Sequence, residues 1–243
     1  MKKISIIISL LLAAFAGTLY AQDCATGYCP ATITVHHKAG SISPVTGDIT
    51  YDVTKVMSAA STYKCFITRN LGASVVAAQA GGTAQYPADG WYWQWNRKQG
   101  FNAGTTSTFI QPSAAAGWQM TISDASDWLP ANDPCTLLLG SSWHIPTSTE
   151  WNYMLNGGTP SWLWSNVNYS TGSPMKLYDS GYIVQSGYAT LPGGSVWVYW
   201  SSTSASATAA NSAYSTGSNS GFGVGNYANK SNVGEPVRCL RSY

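Results

Sequence analysis

The clearest pattern of apolar and polar positions in the chain surrounds Trp151 and predicts a short helix. Trp151 and Leu155 are four residues apart, so they would lie on one face of a helix. Thr147 and Glu150 have the spacing of a capping box, in which each side chain accepts a hydrogen bond from the other residue's backbone amide. We therefore predict a helix over 148–155, ended by the Asn-Gly-Gly sequence that follows.

Alternating apolar residues elsewhere predict strands. In the run Trp91–Trp95 the three tryptophans would all face one side of a sheet. We interpret this run as a buried aromatic strand, and the alternative is an exposed aromatic platform for a sugar. Further strand patterns occur at 31–35, 49–53, 63–67, 182–184 and 195–200. Because strands dominate and helices are few and short, the predicted class is α+β with long loops.

Residues 1–21 have the pattern of a secretory signal peptide. A basic start precedes an apolar run over 4–16, and an A-x-A-like cleavage site ends the segment. The apolar run is too short for a transmembrane helix, and the residues before Cys24 do not resemble a lipid-attachment sequence. We therefore expect a protein exported through the Sec pathway, secreted or at the cell surface, and not membrane-spanning. An N-terminal arm or strand over 22–50 would precede a domain over 51–243.

Charge excludes two classes of partner. Removal of the signal peptide takes away two lysines and leaves ten basic and ten acidic residues, so the formal net charge is zero. Nucleic acid and anionic membranes both require a basic face and are poor candidates. With 9% charged residues, 11 Trp and 15 Tyr, the surface must be polar through Ser, Thr, Asn and Tyr. Such a surface suits extracellular binding proteins.

Five cysteines in an exported chain suggest disulfides. Cys24 and Cys29 could close a small local loop. Cys135 and Cys239 could join the middle of the chain to its last strand, and closing so long a loop would contribute about 4–5 kcal/mol in the chain-entropy model. Cys65 is then left unpaired. No spacing of Cys and His residues suggests a zinc site.

The segment 204–234 has a different composition from the rest of the chain. Its 31 residues include 7 Ser, 6 Ala, 5 Asn and 5 Gly, and Lys230 carries its only charge. A disordered tail is the simplest interpretation. Strand-like sequences bracket the segment, however, and Cys239 implies that the chain returns to the core. We therefore expect a structured, surface-exposed segment built of loops.

Six short motifs, in this order, resemble the Fibrobacter succinogenes major paralogous domain family of exported bacterial proteins. The motifs are Asn70–Ala73, Gly90–Phe101, Asn132–Cys135, Trp143–Trp151, Tyr199–Thr203 and Val237–Arg241. The resemblance covers roughly 50–243 and implies a C-type lectin-like fold, related to formylglycine-generating enzymes: a twisted antiparallel sheet with two short helices and long loops. The family's termini come together, which would explain a link between Cys135 and Cys239.

The sequences that bracket 204–234 also resemble those of variable proteins of diversity-generating retroelements, in which adenines of a template are randomised. Every residue of 204–234 except Lys230 can arise from an Asn AAC codon changed at its adenines. An ordinary loop rich in Ser, Ala and Gly would satisfy the same test. This resemblance implies a diversifiable ligand-binding surface. The ligand-binding residues that we expect are Ser204, Ser206, Asn211, Tyr214, Asn219, Phe222, Asn226, Tyr227, Asn229 and Asn232.

Enzyme chemistry finds little support in the sequence. Formylglycine-generating activity uses a cysteine pair in the C-terminal part of the domain, where this chain has only Cys239. His144 is better explained as a structural histidine and Glu150 as a capping residue. We find no nucleophile motif and no paired carboxylates placed for glycoside hydrolysis. We therefore expect no catalytic residues, no cofactor and no metal.

Two non-enzymatic roles remain after these exclusions. The first is a ligand-binding protein whose partner is a protein or glycan on another cell or phage surface. The second is a surface-assembly or adhesion subunit without a variable site. The sequence patterns of calcium-dependent sugar binding are missing, since Glu235-Pro236 is followed by Val237. The sequence does not indicate an oligomeric state.

Overall fold

A computed structural model of the chain describes residues 28–75, 86–102, 117–157, 175–177, 180–185, 187–189, 197–215 and 222–242. These described residues form thirteen strands and three short α-helices. The strands are β1 Thr32–His37, β2 Gly47–Ala59, β3 Thr62–Ile67, β4 Trp91–Gln94, β5 Gly100–Asn102, β6 Trp143–His144, β7 Tyr182–Val184, β8 Gly187–Ala189, β9 Val198–Ser204, β10 Ala209–Ser215, β11 Phe222–Asn229, β12 Val233–Pro236 and β13 Leu240–Arg241. The helices are α1 Tyr86–Asp89, α2 Pro134–Leu139 and α3 Ser148–Asn152, and a π-helical turn, Tyr153–Gly157, follows α3.

The first sheet has the strand order β1-β2-β3-β13-β6, with antiparallel neighbours throughout. The strand near the end of the chain, β13, therefore lies between β3 and β6. Strand β1 pairs with β2 over its whole length, so residues 32–37 belong to this sheet. The boundary expected between residues 50 and 51 falls inside β2, which begins at Gly47.

Two further antiparallel sheets complete the core, in the orders β5-β4-β12-β7-β8 and β11-β10-β9. On β4 the side chains of Trp91 and Trp93 are 2% and 0% exposed, and Trp95, directly after the strand, is 0% exposed. The interpretation as a buried aromatic strand is confirmed. The indole of Trp200 on β9 donates to the carbonyl oxygen of Trp93 at 2.6 Å, which ties two of the sheets together.

Helix α3 has the predicted cap. Thr147 accepts a hydrogen bond from the Glu150 amide, and the Glu150 carboxylate accepts one from the Thr147 amide. The α-helix ends at Asn152 rather than at Leu155, and the π-helical turn carries the chain onward. Trp151 is fully buried, and its indole donates to the carbonyl oxygen of Trp200 at 3.1 Å. The capped helix therefore anchors β9, the strand that leads into the candidate segment.

Helix α2 begins within the Asn132–Cys135 motif. Asp133 is its N-cap and accepts hydrogen bonds from the amides of Cys135 and Thr136 through Oδ1. Its Oδ2 accepts a third hydrogen bond, from the Ile145 amide at 2.9 Å. Burial raises the pKa of Asp133 to about 6, although the three amides lower it. One carboxylate thus joins the start of α2 to the end of β6.

Two disulfides bind the fold. Cys135 is bonded to Cys239, the pair that the sequence analysis expected. Cys29 is bonded to Cys65, so the expected pairing of Cys24 with Cys29 is wrong, and Cys65 is not left unpaired. The pairing of β2 with β1 and β3 brings residues 36 positions apart in sequence close together, which the local spacing of cysteines cannot reveal. Cys24 lies outside the described residues.

The described residues are largely antiparallel β-sheet with few short helices, which agrees with the coarse class α+β. Among them, no helix has both the length and the apolar character needed to cross a membrane. The core contains a large cluster that includes Trp91, Trp93, Trp95, Trp128 and Trp200. Tryptophan-rich packing of this kind gives a rigid frame, because large aromatic side chains bury much area and have few rotatable bonds.

Candidate functional site

The candidate segment is mostly strand, not loop. Its described residues form the end of β9, the hairpin-like pair β10 and β11, and the start of β12. The expectation of loops over 204–234 is therefore wrong for these residues. Small residues allow the pairing, since Ala210, Ala213 and Ala228 point into the core at 3% exposure or less. Ala and Ser lack the β-branched and aromatic character by which a strand is recognised in sequence.

The expected ligand-binding residues fall into three groups by exposure. Ser206, Asn229 and Asn232 are exposed, whereas Ser204, Asn211 and Tyr214 are half-buried. Phe222, Asn226 and Tyr227 belong to β11, but their side chains lie outside the described part of the structure, as does Asn219 altogether. The structure therefore brings the exposed members together at the ends of strands. We define residues 204–208 and 229–232 as the candidate face.

The side chains of several expected contact residues form hydrogen bonds within the protein itself. Asn211 donates from Nδ2 to the carbonyl oxygens of Thr203 and Ser204. Asn229 accepts the amides of Ser231 and Asn232 at 3.0 and 3.1 Å and so shapes the turn between β11 and β12. An Asn side chain that bonds to the backbone two or three residues ahead is typical of a tight turn.

Tyr214 is also partly committed to the fold. It lies opposite Gly223 in the pairing of β10 with β11. A Cβ atom placed on Gly223 would meet the Tyr214 ring and hydroxyl at 2.6 Å. The ring therefore covers the glycine backbone, and any larger residue at position 223 would displace it. Tyr214 is half-buried by this packing rather than fully available as a contact residue.

Three exposed residues of the face were not expected from the sequence. Ala205, Ala207 and Thr208 are exposed and form the turn between β9 and β10. The amides of Ala205 and Ser206 both donate to the carbonyl oxygen of Ala209, at 3.1 and 2.9 Å. The Ser206 hydroxyl also accepts the amides of Thr208 and Ala209, so main-chain bonds and one side chain fix this turn. Alanine has no functional group that marks it as a contact residue, so only the position between two strands could have identified these residues.

A loop over 119–128 forms hydrogen bonds with the candidate face. The Asp124 amide donates to the carbonyl oxygen of Ala207 at 2.8 Å, and the Asp127 carboxylate accepts the Ser204 amide at 2.8 Å. The Ile122 amide donates to the hydroxyl of Ser231 at 2.6 Å. This loop therefore contacts both turns of the face. No pattern in residues 119–128 of the sequence predicted this contact.

Asp124 is held by its own hydrogen bonds. Its Oδ1 accepts the hydroxyl and the amide of Ser126 at 2.7 and 2.9 Å, and its Oδ2 accepts Asn96 Nδ2 at 2.9 Å. Hydrogen bonds from Ser126 and then Asn96 lower the pKa of Asp124 to about 2. The carboxylate is thus charged at neutral pH and fixes the loop. Asn96, whose φ is 50°, occupies a left-handed conformation that Asn tolerates better than most residues.

The His144 and Glu150 cluster, a candidate for chemistry by residue type, is a structural network. Glu150 accepts Lys64 Nζ at 2.5 Å and His144 Nε2 at 3.1 Å, in addition to the amide of the helix cap. Burial raises the pKa of Glu150, but the hydrogen bonds from His144 and Lys64 outweigh it and leave the pKa at about 2. A carboxylate so fully engaged serves to fix β3, β6 and α3 together.

The candidate face presents polar and small side chains without a metal-binding constellation. Within the part of the chain that the structure describes, no group of three or more His, Cys, Asp and Glu side chains is placed to hold a metal ion. What the face can do chemically is offer hydrogen bonds and small apolar contacts on a fixed backbone.

Comparisons of the chain with protein-family models, with curated proteins and with solved structures find no match.

Proposed function

We propose that the chain is a secreted bacterial ligand-binding protein of the Fibrobacter succinogenes major paralogous domain family. Its segment 204–234 would be a diversifiable binding surface of the kind that retroelement variable proteins carry. The six motifs support the family. Antiparallel sheets with few short helices, and a disulfide between Cys135 and Cys239, are what a C-type lectin-like fold with adjoining termini requires.

One observation carries the proposal of a variable surface. In the turn 205–208 the side chains are exposed, and apart from the Ser206 hydroxyl, which accepts the amides of Thr208 and Ala209, main-chain atoms make the bonds that fix the turn. The amides of Ala205 and Ser206 donate to the carbonyl oxygen of Ala209. The carbonyl oxygen of Thr208 accepts the Lys230 amide, and the carbonyl oxygen of Ala207 accepts the Asp124 amide. Because every residue except proline supplies a backbone donor and acceptor, the side chains of Ala205, Ala207 and Thr208 can change without loss of these main-chain bonds.

The chemistry of the surface indicates the partner. A formal net charge of zero for the exported chain disfavours nucleic acid and anionic membranes as targets. A face of Ser, Thr, Ala and Asn suits hydrogen bonding to a protein or glycan on another cell or phage surface. Two disulfides are typical of proteins that fold in an oxidising compartment, which agrees with secretion.

Sequencing of the DNA around the coding region tests this proposal. We expect a reverse transcriptase gene and a near-copy repeat of the 3′ coding end, with the differences between the copies concentrated at adenines of the repeat. Absence of both would contradict a diversified surface and would favour an assembly or adhesion subunit instead. An assay of the purified protein on a sulfatase peptide tests the remaining class, since oxidation of the peptide's cysteine would establish a formylglycine-generating enzyme.

A further inference from the structure

Lys230 differs from its neighbours in the candidate face. It carries the one charge of the segment 204–234, yet its side chain is 0% exposed. Exposed residues precede and follow it, at Asn229 and Asn232. Lysine is almost never fully buried unless its ammonium is paired, so the surroundings of Lys230 must replace the water that it has lost.

Three oxygen atoms accept the three ammonium protons of Lys230. The carbonyl oxygen of Asp124 lies 2.5 Å from Nζ, and the carbonyl oxygen of Ser206 and the hydroxyl of Ser204 each lie at 2.7 Å. Nζ also lies 4.6 Å from the centre of the Trp95 ring, where the negative face of the indole attracts a cation. The ammonium therefore bonds to the turn 204–208 and to the 119–128 loop at once.

The charged groups nearest to Lys230 are Asp124 and Asp127, and both carboxylates have other partners. Asp124 accepts Asn96 and Ser126, and Asp127 accepts the Ser204 amide. Burial lowers the pKa of Lys230, and the two carboxylates oppose that shift. Lys230 thus bonds to neutral oxygens while two aspartates supply a favourable field, so it acts through geometry rather than as half of an ion pair.

We infer that Lys230 is a positioning residue, which holds the turn 204–208 and the 119–128 loop in one arrangement while the exposed side chains of the face change. Two of its three acceptors are main-chain carbonyls, at Asp124 and Ser206, and these remain whatever side chain the residue carries. Lys230 is also the position in 204–234 that a changed Asn AAC codon cannot encode, as a fixed residue within a variable segment would be. The inference rests on the proposed function in treating this face as a binding surface whose side chains vary.

Hydrogen exchange in a Lys230→Met variant tests the inference. Methionine keeps the apolar stem and removes the ammonium. We expect the amides of Ala205, Ser206 and Asp124 to exchange at least about tenfold faster, because the charge-assisted hydrogen bonds that hold both segments are lost. Amides of the frame, such as that of Leu71, which donates to Val237, should keep their protection.

The matched control is Lys98→Met, the same chemical change at an exposed lysine, and it should alter none of these rates. A uniform rise at frame and face amides in Lys230→Met would show general destabilisation and would overturn a positioning role. Unchanged rates at the face would overturn it as well.

A second measurement uses the wild-type protein and so does not depend on how the variant folds. In NMR spectra of protein labelled with 15N-lysine, we expect one ammonium signal that persists at neutral pH, because its protons are buried and bonded. The nearby Trp95 ring should shift this signal upfield, and the signal should remain in Lys98→Met. A set of ammonium signals that all exchange rapidly with water would contradict the inference. Neither experiment involves the coding DNA. Failure of the retroelement proposal would therefore not change these results, and failure of the Lys230 inference would not contradict the retroelement proposal.

Discussion

The ammonium nitrogen of Lys230 lies 4.6 Å from the centre of the Trp95 ring. Trp95 in turn packs against Trp128 and Trp200, with ring centres 5.1 and 5.5 Å apart. The candidate face is thus joined directly to the tryptophan core through one lysine. This contact explains how a segment of small residues can hold a fixed conformation at the surface, because its anchor is a rigid aromatic cluster.

Replacement of Asp133 by asparagine should strongly destabilise the fold. Both carboxylate oxygens accept backbone amides, from Cys135 and Ile145, and an asparagine NH2 group would face one of these N–H donors. We expect a loss of about 2–4 kcal/mol in the free energy of unfolding, since a buried donor would lose its partner. Urea denaturation measures this loss. Asp48→Asn, which alters an exposed pair with His36, should cause little change; an equal loss in both variants would contradict this role for Asp133.

Disulfide mapping should distinguish the two cysteine pairings. A digest of the unreduced protein should contain Cys29 linked to Cys65 and Cys135 linked to Cys239, as in the structure. Removal of the second disulfide should cost about 1 kcal/mol more than removal of the first, because it closes a loop of 104 rather than 36 residues. A peptide that links Cys24 to Cys29 would contradict the structure.

The stability of the protein should depend on His37 in mild acid. His37 is 1% exposed, and the Tyr51 hydroxyl, which accepts the Gly72 amide, is left to donate to His37 Nε2 at 2.9 Å. Burial, helped by His36 and opposed by Asp48, lowers the pKa of His37 to about 4. The unfolded chain therefore binds more protons than the folded chain between pH 6.5 and 4. The neutral His37 thus contributes about 3 kcal/mol to the free energy of unfolding above pH 6.5, and this contribution is lost as the pH falls towards 4.

A His37→Gln variant checks this expectation, because glutamine can accept from Tyr51 but does not titrate. The difference in unfolding free energy between wild type and variant should fall between pH 6.5 and 4 and stay level above that range. A difference that is independent of pH would show that His37 is not buried as a neutral imidazole.

Glu235 should produce the opposite dependence at higher pH. Its side chain is 0% exposed, and its Oε1 accepts the Ser212 hydroxyl at 3.1 Å. Burial raises the pKa of Glu235 to about 8 although the Ser212 hydrogen bond lowers it, so the carboxyl is protonated at neutral pH. Its contribution to stability is complete below pH 4.5 and is lost as the pH rises through 8, on the order of 4 kcal/mol in all.

Glu235→Gln removes this titration and keeps a group that can bond to Ser212. We expect the variant to gain stability over wild type as the pH rises from 5 to 9, in calorimetric scans at each pH. Between pH 4.5 and 6.5 the slopes from His37 and Glu235 oppose each other, so each is visible only against its own variant. If the stabilities of the wild type and the glutamine variant change equally with pH up to pH 9, Glu235 is not a buried neutral carboxyl group.

Local patterns predicted the parts of the fold that depend on neighbouring residues. The cap at Thr147 and Glu150 needs only three residues of spacing, and the tryptophan strand needs only alternation, so both were found. The π-helical turn after Asn152 was not predicted, because the spacing of Trp151 and Leu155 fits one face of an ordinary α-helix. The Cys29–Cys65 disulfide depends on the pairing of β1, β2 and β3, which no local signal encodes.

The region of the candidate face was predicted, but the alanines exposed on it and the lysine that holds it were not. Composition identified 204–234, yet it favoured Ser, Asn and Tyr as contact residues and passed over Ala205 and Ala207. The burial of Lys230 could not be foreseen either, because a single lysine among small polar residues ordinarily lies in solvent. Its acceptors come from residues about 25 and 105 positions away in sequence, and only the fold brings them together.

Tolerance to side-chain change at the face is the most direct test of the account. A library that varies positions 205, 207, 208 and 232 with the residues, other than proline, that a changed AAC codon can encode would be displayed and sorted for folding. A second library would vary Lys230 and the buried Ala210 and Ala213 in the same way. We predict that the first library folds about as well as wild type and that the second rarely folds. Equal loss of folded protein in both libraries would contradict a diversifiable surface on a fixed backbone.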